Sequence, residues 1–142
     1  MFFKNLRYGT DYPKQCPPND CKIASSEVLY RACHAEVEDS DGNLNMENFI
    51  PVWEQTKTTG RTFPKPKFCE AKALSFFSTE EACLNKIRDY PKIGSKIIKV
   101  KLNSQCGFIR KSDPDSLHYS LWDLSKPTIS KAIGKNWKKV YG

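Results

Sequence analysis

One run of eight residues constrains the fold more than any other. In Ser95-Lys96-Ile97-Ile98-Lys99-Val100-Lys101-Leu102, three apolar side chains (Ile98, Val100, Leu102) fall on one side and Lys99 and Lys101 on the other. A period of two belongs to a half-buried strand, and a strand needs neighbours. Four further short runs supply them: Glu27-Val28-Leu29-Tyr30-Arg31-Ala32-Cys33, Ala73-Leu74-Ser75-Phe76-Phe77, Gly107-Phe108-Ile109-Arg110 and Leu117-His118-Tyr119-Ser120-Leu121-Trp122. All are rich in β-branched and aromatic residues. Alternation in the first puts Arg31 on the opposite face from Tyr30. Asp39-Ser40-Asp41-Gly42-Asn43 and Asp113-Pro114-Asp115 read as turns. The first lacks the twelve-residue ligand pattern of a calcium loop.

Helical signals are fewer. Ser78-Thr79-Glu80-Glu81 reads as a capping box, with Ser78 as cap and Glu81 reaching back. Ala82, Leu84 and Ile87 carry that helix to about Asp89, before Pro91. A second helix is expected from about Lys126 to Val140. Ser125 would cap it, with Pro127 in its first turn and Ile129, Ile133, Trp137 and Val140 as its apolar stripe. Residues 1–25, with Pro13, Pro17 and Pro18, predict an irregular arm packed on the domain. Residues 55–67 predict a long loop. The domain proper is 26–142, within the 142 residues that suit one domain.

At 39% hydrophobic and 27% charged the chain can bury a core. No apolar run reaches membrane-spanning length, and the first residues are too polar for a signal peptide. Residues 1–83 hold ten Lys and Arg against twelve acids, a balance of −2. Residues 84–142 hold thirteen against four Asp, a balance of +9. The positive field of the second half suits nucleic acid, a dinucleotide or an acidic protein. Six cysteines lack the tight pairs of a zinc site. They read as free thiols in a reducing cytoplasm, or as one local Cys16–Cys21 bridge. No metal site is expected.

No phosphate-binding glycine loop and no nucleophile elbow is present. What remains is polar residues on strands among aromatics: Tyr30-Arg31, Ser75-Phe76-Phe77 and His118-Tyr119. Their order resembles that of ADP-ribosyltransferase-like folds, which carry an arginine or histidine on the first strand, a serine beside aromatics on a middle one and a third polar residue later. The chain is most similar to the small type VI secretion effector toxins of that fold. Leu29-Tyr30-Arg31-Ala32 followed by an acidic Asp-Gly turn resembles the family's opening. Leu117-His118-Tyr119-Ser120-Leu121 resembles its threonine-histidine-tyrosine block, and Lys135-Asn136-Trp137-Lys138-Lys139 its basic tryptophan-containing helix. Ser75-Phe76-Phe77 can be laid on its threonine-serine block. Leu74 and Leu117 stand where the family has threonine.

The resemblance implies an α+β fold of split antiparallel sheets with flanking helices and a C-terminal helix. It implies a bacterial toxin acting in the cytoplasm on NAD, either transferring ADP-ribose to RNA, DNA or protein or consuming NAD. Arg31, Ser75 and His118 would be catalytic; Tyr30, Arg31, Phe76 and Tyr119 would hold NAD. An acidic immunity protein or antitoxin is the expected partner, with no membrane involved. The late glutamate common in such enzymes is missing, since no glutamate follows Glu81; His118 or Asp123 would replace it. The alternative reading is a non-enzymatic basic module for RNA or protein, resting on the basic C-terminal stretch with Trp122, Trp137 and Tyr141 interleaved.

Overall fold

The alternating runs all enter one sheet. The computed structural model describes residues 3–142. Its strands are β1 (Lys22–Ile23), β2 (Val28–Cys33), β3 (Leu74–Phe77), β4 (Lys96–Lys101), β5 (Gly107–Lys111), β6 (His118–Asp123) and β7 (Trp137–Tyr141). They form a seven-stranded antiparallel sheet in the order β1-β5-β6-β3-β2-β4-β7. The helices are short: α1 (Gln55–Thr58), α2 (Phe68–Ala71), α3 (Glu80–Asp89) and α4 (Ile129–Ile133). The protein is thus a mixed α and β domain. No helix among the described residues is long and apolar enough to cross a membrane.

Pairing is uneven along the sheet. β2 matches β4 at six positions, from Val28↔Lys101 to Cys33↔Lys96. It meets β3 at only one, Tyr30↔Phe77. Beyond that bridge β2 and β3 part, leaving strand carbonyls that need other donors.

The two faces differ. One carries the main core, where Leu29, Leu74, Phe76, Ile98, Val100, Ile109 and Leu121 pack with Leu44 and Phe49 of the β2–β3 connection and with Ile129 and Ile133 of α4. Each such side chain contributes about 1.5–3 kcal/mol when fully buried. The opposite face is covered in two pieces. The N-terminal arm lays Leu6 and Cys21 over Ala73, Phe108 and Trp122. Helix α3 lays Cys83 and Ile87 over Phe77 and Ile97. The arm is tied to the sheet by the Leu6↔Leu124 bridge and by β1 on β5.

Several expectations are corrected. The C-terminal helix of 126–140 is a single turn and a strand. Thr128 is the cap residue rather than Ser125, and Gly134 at φ 61° ends α4 in the left-handed region that glycine tolerates. Trp137-Lys138-Lys139-Val140-Tyr141 then pairs with β4. Trp137 and Val140, three apart, share a helix face but point to opposite faces of a strand, and each finds apolar neighbours there. Thr79, not Ser78, caps α3, its hydroxyl accepting from the Ala82 amide at 3.0 Å. The cysteines are neither all free nor bridged locally: Cys16 is joined to Cys69, while Cys21, Cys33, Cys83 and Cys106 are free and buried. Residues 55–67 include the helical turn α1. Trp122, read as part of a basic binding stretch, is 1% exposed core.

Candidate functional site: a serine–histidine–serine chain at the parting strands

β3 places Ser75 between the two coverings of its face. Ala73 lies under the arm and Phe77 under α3, and Ser75, two residues from each on the same face, is exposed. The β3–β6 register sets Ser75 opposite Ser120 and Phe77 opposite His118. The His118 ring therefore lies diagonally beside Ser75, with Nε2 2.9 Å from Ser75 Oγ. The Asp113-Pro114-Asp115 turn brings the end of β5 back along β6, the Ser112 amide donating to the His118 carbonyl at 2.9 Å. Ser112 Oγ hydrogen-bonds His118 Nδ1. Phe77 meets the imidazole edge-on at 5.4 Å between centroids.

Burial pushes the His118 pKa below the ordinary histidine value, and the Lys86 ammonium pushes the same way against Glu70. The ring is thus neutral at pH 7, with one N–H and one lone pair to share between two hydroxyls. With Nδ1–H donating to Ser112, Nε2 accepts the Ser75 proton; the other tautomer reverses both bonds. In the first tautomer the chain can take a proton at Nε2, with Ser112 fixing the ring that takes it.

Arg31 stands on the other face. Its side chain lies on the core side with Phe76, and the guanidinium sits 5.3 Å from the Phe49 ring centre and 5.5 Å from that of Phe76. Nε donates to the Asn48 carbonyl at 2.8 Å, and a terminal nitrogen donates to the Ser75 carbonyl at 2.7 Å. Arg31 thus satisfies a carbonyl that the parting of β2 and β3 leaves free. The residue is half-buried, and desolvation of its guanidinium pulls its pKa below the ordinary arginine value.

The sequence candidates divide accordingly. Tyr30, Ser75 and His118 share one face, while Arg31, Phe76 and Tyr119 share the other. Phe76 is fully buried with the guanidinium over its ring, which leaves no face for a stacked ligand. Tyr30 and Tyr119 are half-buried. His34, the second histidine, is exposed just past β2.

Residues that sequence reading passed over support this frame. Ser112, just before the Asp113-Pro114-Asp115 turn, had no role in the sequence reading and holds the His118 ring. Asn48, 2% exposed, holds the Ala35 amide and the Glu36 carbonyl, fixing the loop whose carbonyl Arg31 grips. Lys72 is buried, bonded to the Asp11 carbonyl and carboxylate, with Trp53 at 4.5 Å and Tyr12 at 5.3 Å. Asp123 pairs with Arg7 at 3.0 Å, while its other oxygen, Oδ1, is buried without a partner. That pairing and burial keep Asp123 from solvent.

Two shallow hollows lie elsewhere, both against β7. One, of about 210 Å³, mixes Glu36 and Glu38 with Lys96 and Lys139. The other, of about 270 Å³, is lined by Val28, Lys99, Lys101, Asn136 and Lys138. Neither is lined by Ser75 or His118.

Comparisons with protein-family models, curated proteins and solved structures return no match to this chain.

Proposed function

We propose that this domain is an ADP-ribosyltransferase-like toxin that acts on NAD in the bacterial cytoplasm, with an acidic immunity protein as its cognate partner. The observation that carries the reading is the Ser75–His118–Ser112 chain beside the parting of β2 and β3, where Arg31 braces the Ser75 backbone. A neutral imidazole beside a hydroxyl suits a ribose, whose hydroxyls both donate and accept. The reaction breaks the bond from ribose C1′ to nicotinamide and forms one from C1′ to the oxygen or nitrogen of an acceptor. Nicotinamide leaves with the bonding pair, and the acceptor's proton goes to His118 Nε2. Positive charge builds on the ribose in between, so a neutral His118 avoids the repulsion an imidazolium would add. Tyr30, half-buried on the same face, can border a bound nicotinamide.

Incubation of the purified protein with NAD, followed by chromatography for free nicotinamide, tests this. Release is expected with the native protein and reduced about 10²-fold or more with His118→Ala, the usual scale for a lost acid–base group. Ser112→Ala should lower kcat with little change in KM. Absence of nicotinamide release, with water alone and with bacterial extract as acceptor, overturns the reading.

A further inference from the structure

Three lysines without a carboxylate partner among the described residues are gathered in one hollow. Lys99 and Lys101 of β4 and Lys138 of β7 line the hollow of about 270 Å³, together with Val28 and Asn136. Lys99 and Lys138 are directly opposite in the register. Like charges so placed oppose folding. Among the described residues none of the three is in an ion pair. Glu27, next to Val28, is turned to Ser25 and Lys22. Edge strands carry lysines to discourage pairing with other chains, which accounts for Lys138. It does not account for Lys99 and Lys101, because β4 is paired on both sides.

The register places this hollow on the same face as the serine–histidine chain. His118, Phe77, Tyr30, Lys99 and Lys138 occupy successive strands in one transverse row, on the same face of the sheet. Neighbouring strands are about 4.8 Å apart, so the row spans roughly 19 Å. Lys99 and Lys101, two residues apart on β4, are separated by about 6.7 Å, close to the step between successive phosphates of a nucleic-acid strand. Between the cations and His118 lie half-buried Tyr30, packed at the margin of the α3 cluster, and Phe77, buried beneath α3.

We infer that Lys99, Lys101 and Lys138 bind the phosphates of a single-stranded nucleic acid along the β4–β7 end of this face, beside Tyr30 and outside the α3 covering that separates the hollow from Ser75 and His118. Cations along a sheet with an aromatic ring in the same row are the working parts of single-strand recognition. This inference rests on the proposed transferase activity only in making the strand the ADP-ribose acceptor. The binding itself needs no NAD.

The test is fluorescence anisotropy of a labelled oligouridylate, without NAD, from about 50 to about 200 mM salt. The variant is Lys99→Gln with Lys101→Gln and Lys138→Gln, and the control is Lys57→Gln with Lys65→Gln and Lys67→Gln, a cluster remote in sequence. Each phosphate contact to a single strand contributes about 0.7 to the slope of log affinity against log salt. The triple variant should therefore lose about 2 from that slope and at least about tenfold in affinity at the lowest salt. Its melting temperature should not fall, because it removes an opposed like-charge pair. The control should bind as the native protein does. Absence of binding by the native protein, or equal weakening by both variants, overturns the inference. So does displacement of the oligonucleotide by polyglutamate at equal charge concentration, which would mark an acidic-protein surface. Nicotinamide release without oligonucleotide binding defeats the groove alone; binding without nicotinamide release defeats the transferase reading alone.

Discussion

Asp123 is a carboxyl with one oxygen on Arg7 and the other buried without a partner, and burial outweighs the Arg7 guanidinium to push its pKa up to about 6. Between about pH 4 and 6 the native state therefore holds a proton that the unfolded chain releases. Stability contributed by this group falls as pH rises through that window, by about 3 kcal/mol, and is flat above it. His118 has the opposite sign. Its depressed pKa means that its contribution is present above the ordinary histidine value and is lost as pH falls below it. Urea unfolding across this range should show native minus Asp123→Asn stability decreasing with pH, and native minus His118→Gln stability increasing. A difference that does not change with pH for Asp123→Asn would mean the carboxyl is ionised throughout. Arg31 is tied down by two carbonyl bonds and by its place between Phe49 and Phe76. Arg31→Ala should cost about 2–4 kcal/mol, because two carbonyls lose their donor, and Arg31→Lys should recover little, having no fork to reach both. A melting temperature unchanged by Arg31→Ala would refute that bracing role. The order of Arg31, Ser75 and His118 on three strands was legible in the sequence. Their division between two faces was not, because parity along each strand becomes a shared face only when register is known.

Among the elements, the interior strands β2, β3, β4, β5 and β6 could be read to within a residue or so, since their alternation and bounding turns are local properties. The C-terminal element was misread because Trp137 and Val140 satisfy both periods once a turn precedes them. What decides is the free edge of β4, which only the assembled sheet supplies. The Cys16–Cys69 bridge was illegible for a related reason. Nothing in the spacing of residues 16 and 69 reports that the arm crosses Trp122 to reach α2, where Trp122 Nε1 donates to the Cys69 carbonyl at 3.0 Å. The bridge closes a sequence separation of 53 residues, and chain entropy alone gives it up to about 4 kcal/mol. Reductant should lower the melting temperature of the native protein and leave Cys69→Ser unchanged. Alkylation under denaturing, non-reducing conditions should label four thiols and, in the folded protein, almost none, since all four free cysteines are buried. Labelling of six thiols without reductant would show the bridge does not form.

Across the whole molecule, sheet neighbours are far apart in the chain. Lys22 pairs with Ile109, Leu29 with Val100, Leu74 with Leu121, and Leu6 bridges to Leu124. Long loops must close before any of these contacts forms, so folding should be slow for the size, in milliseconds to seconds. No stretch holds enough core to stand alone: the arm needs Phe108 and Trp122, and α3 needs Phe77 and Ile97. The oxidised domain should therefore unfold in one cooperative step. Its three tryptophans sample three places: Trp53 in the aromatic group around Lys72, Trp122 beneath the arm and Trp137 on the β7 edge. Single-tryptophan variants, with Phe at the other two positions, should give urea transitions that coincide with each other and with far-ultraviolet circular dichroism. Reduction removes the disulfide cross-link between arm and α2, so the Trp122 signal alone should then move to lower urea. An early Trp137 transition in the oxidised protein would instead make β7 a separable edge. The groove of Lys99, Lys101 and Lys138 would then be a surface that forms and melts apart from the serine–histidine chain.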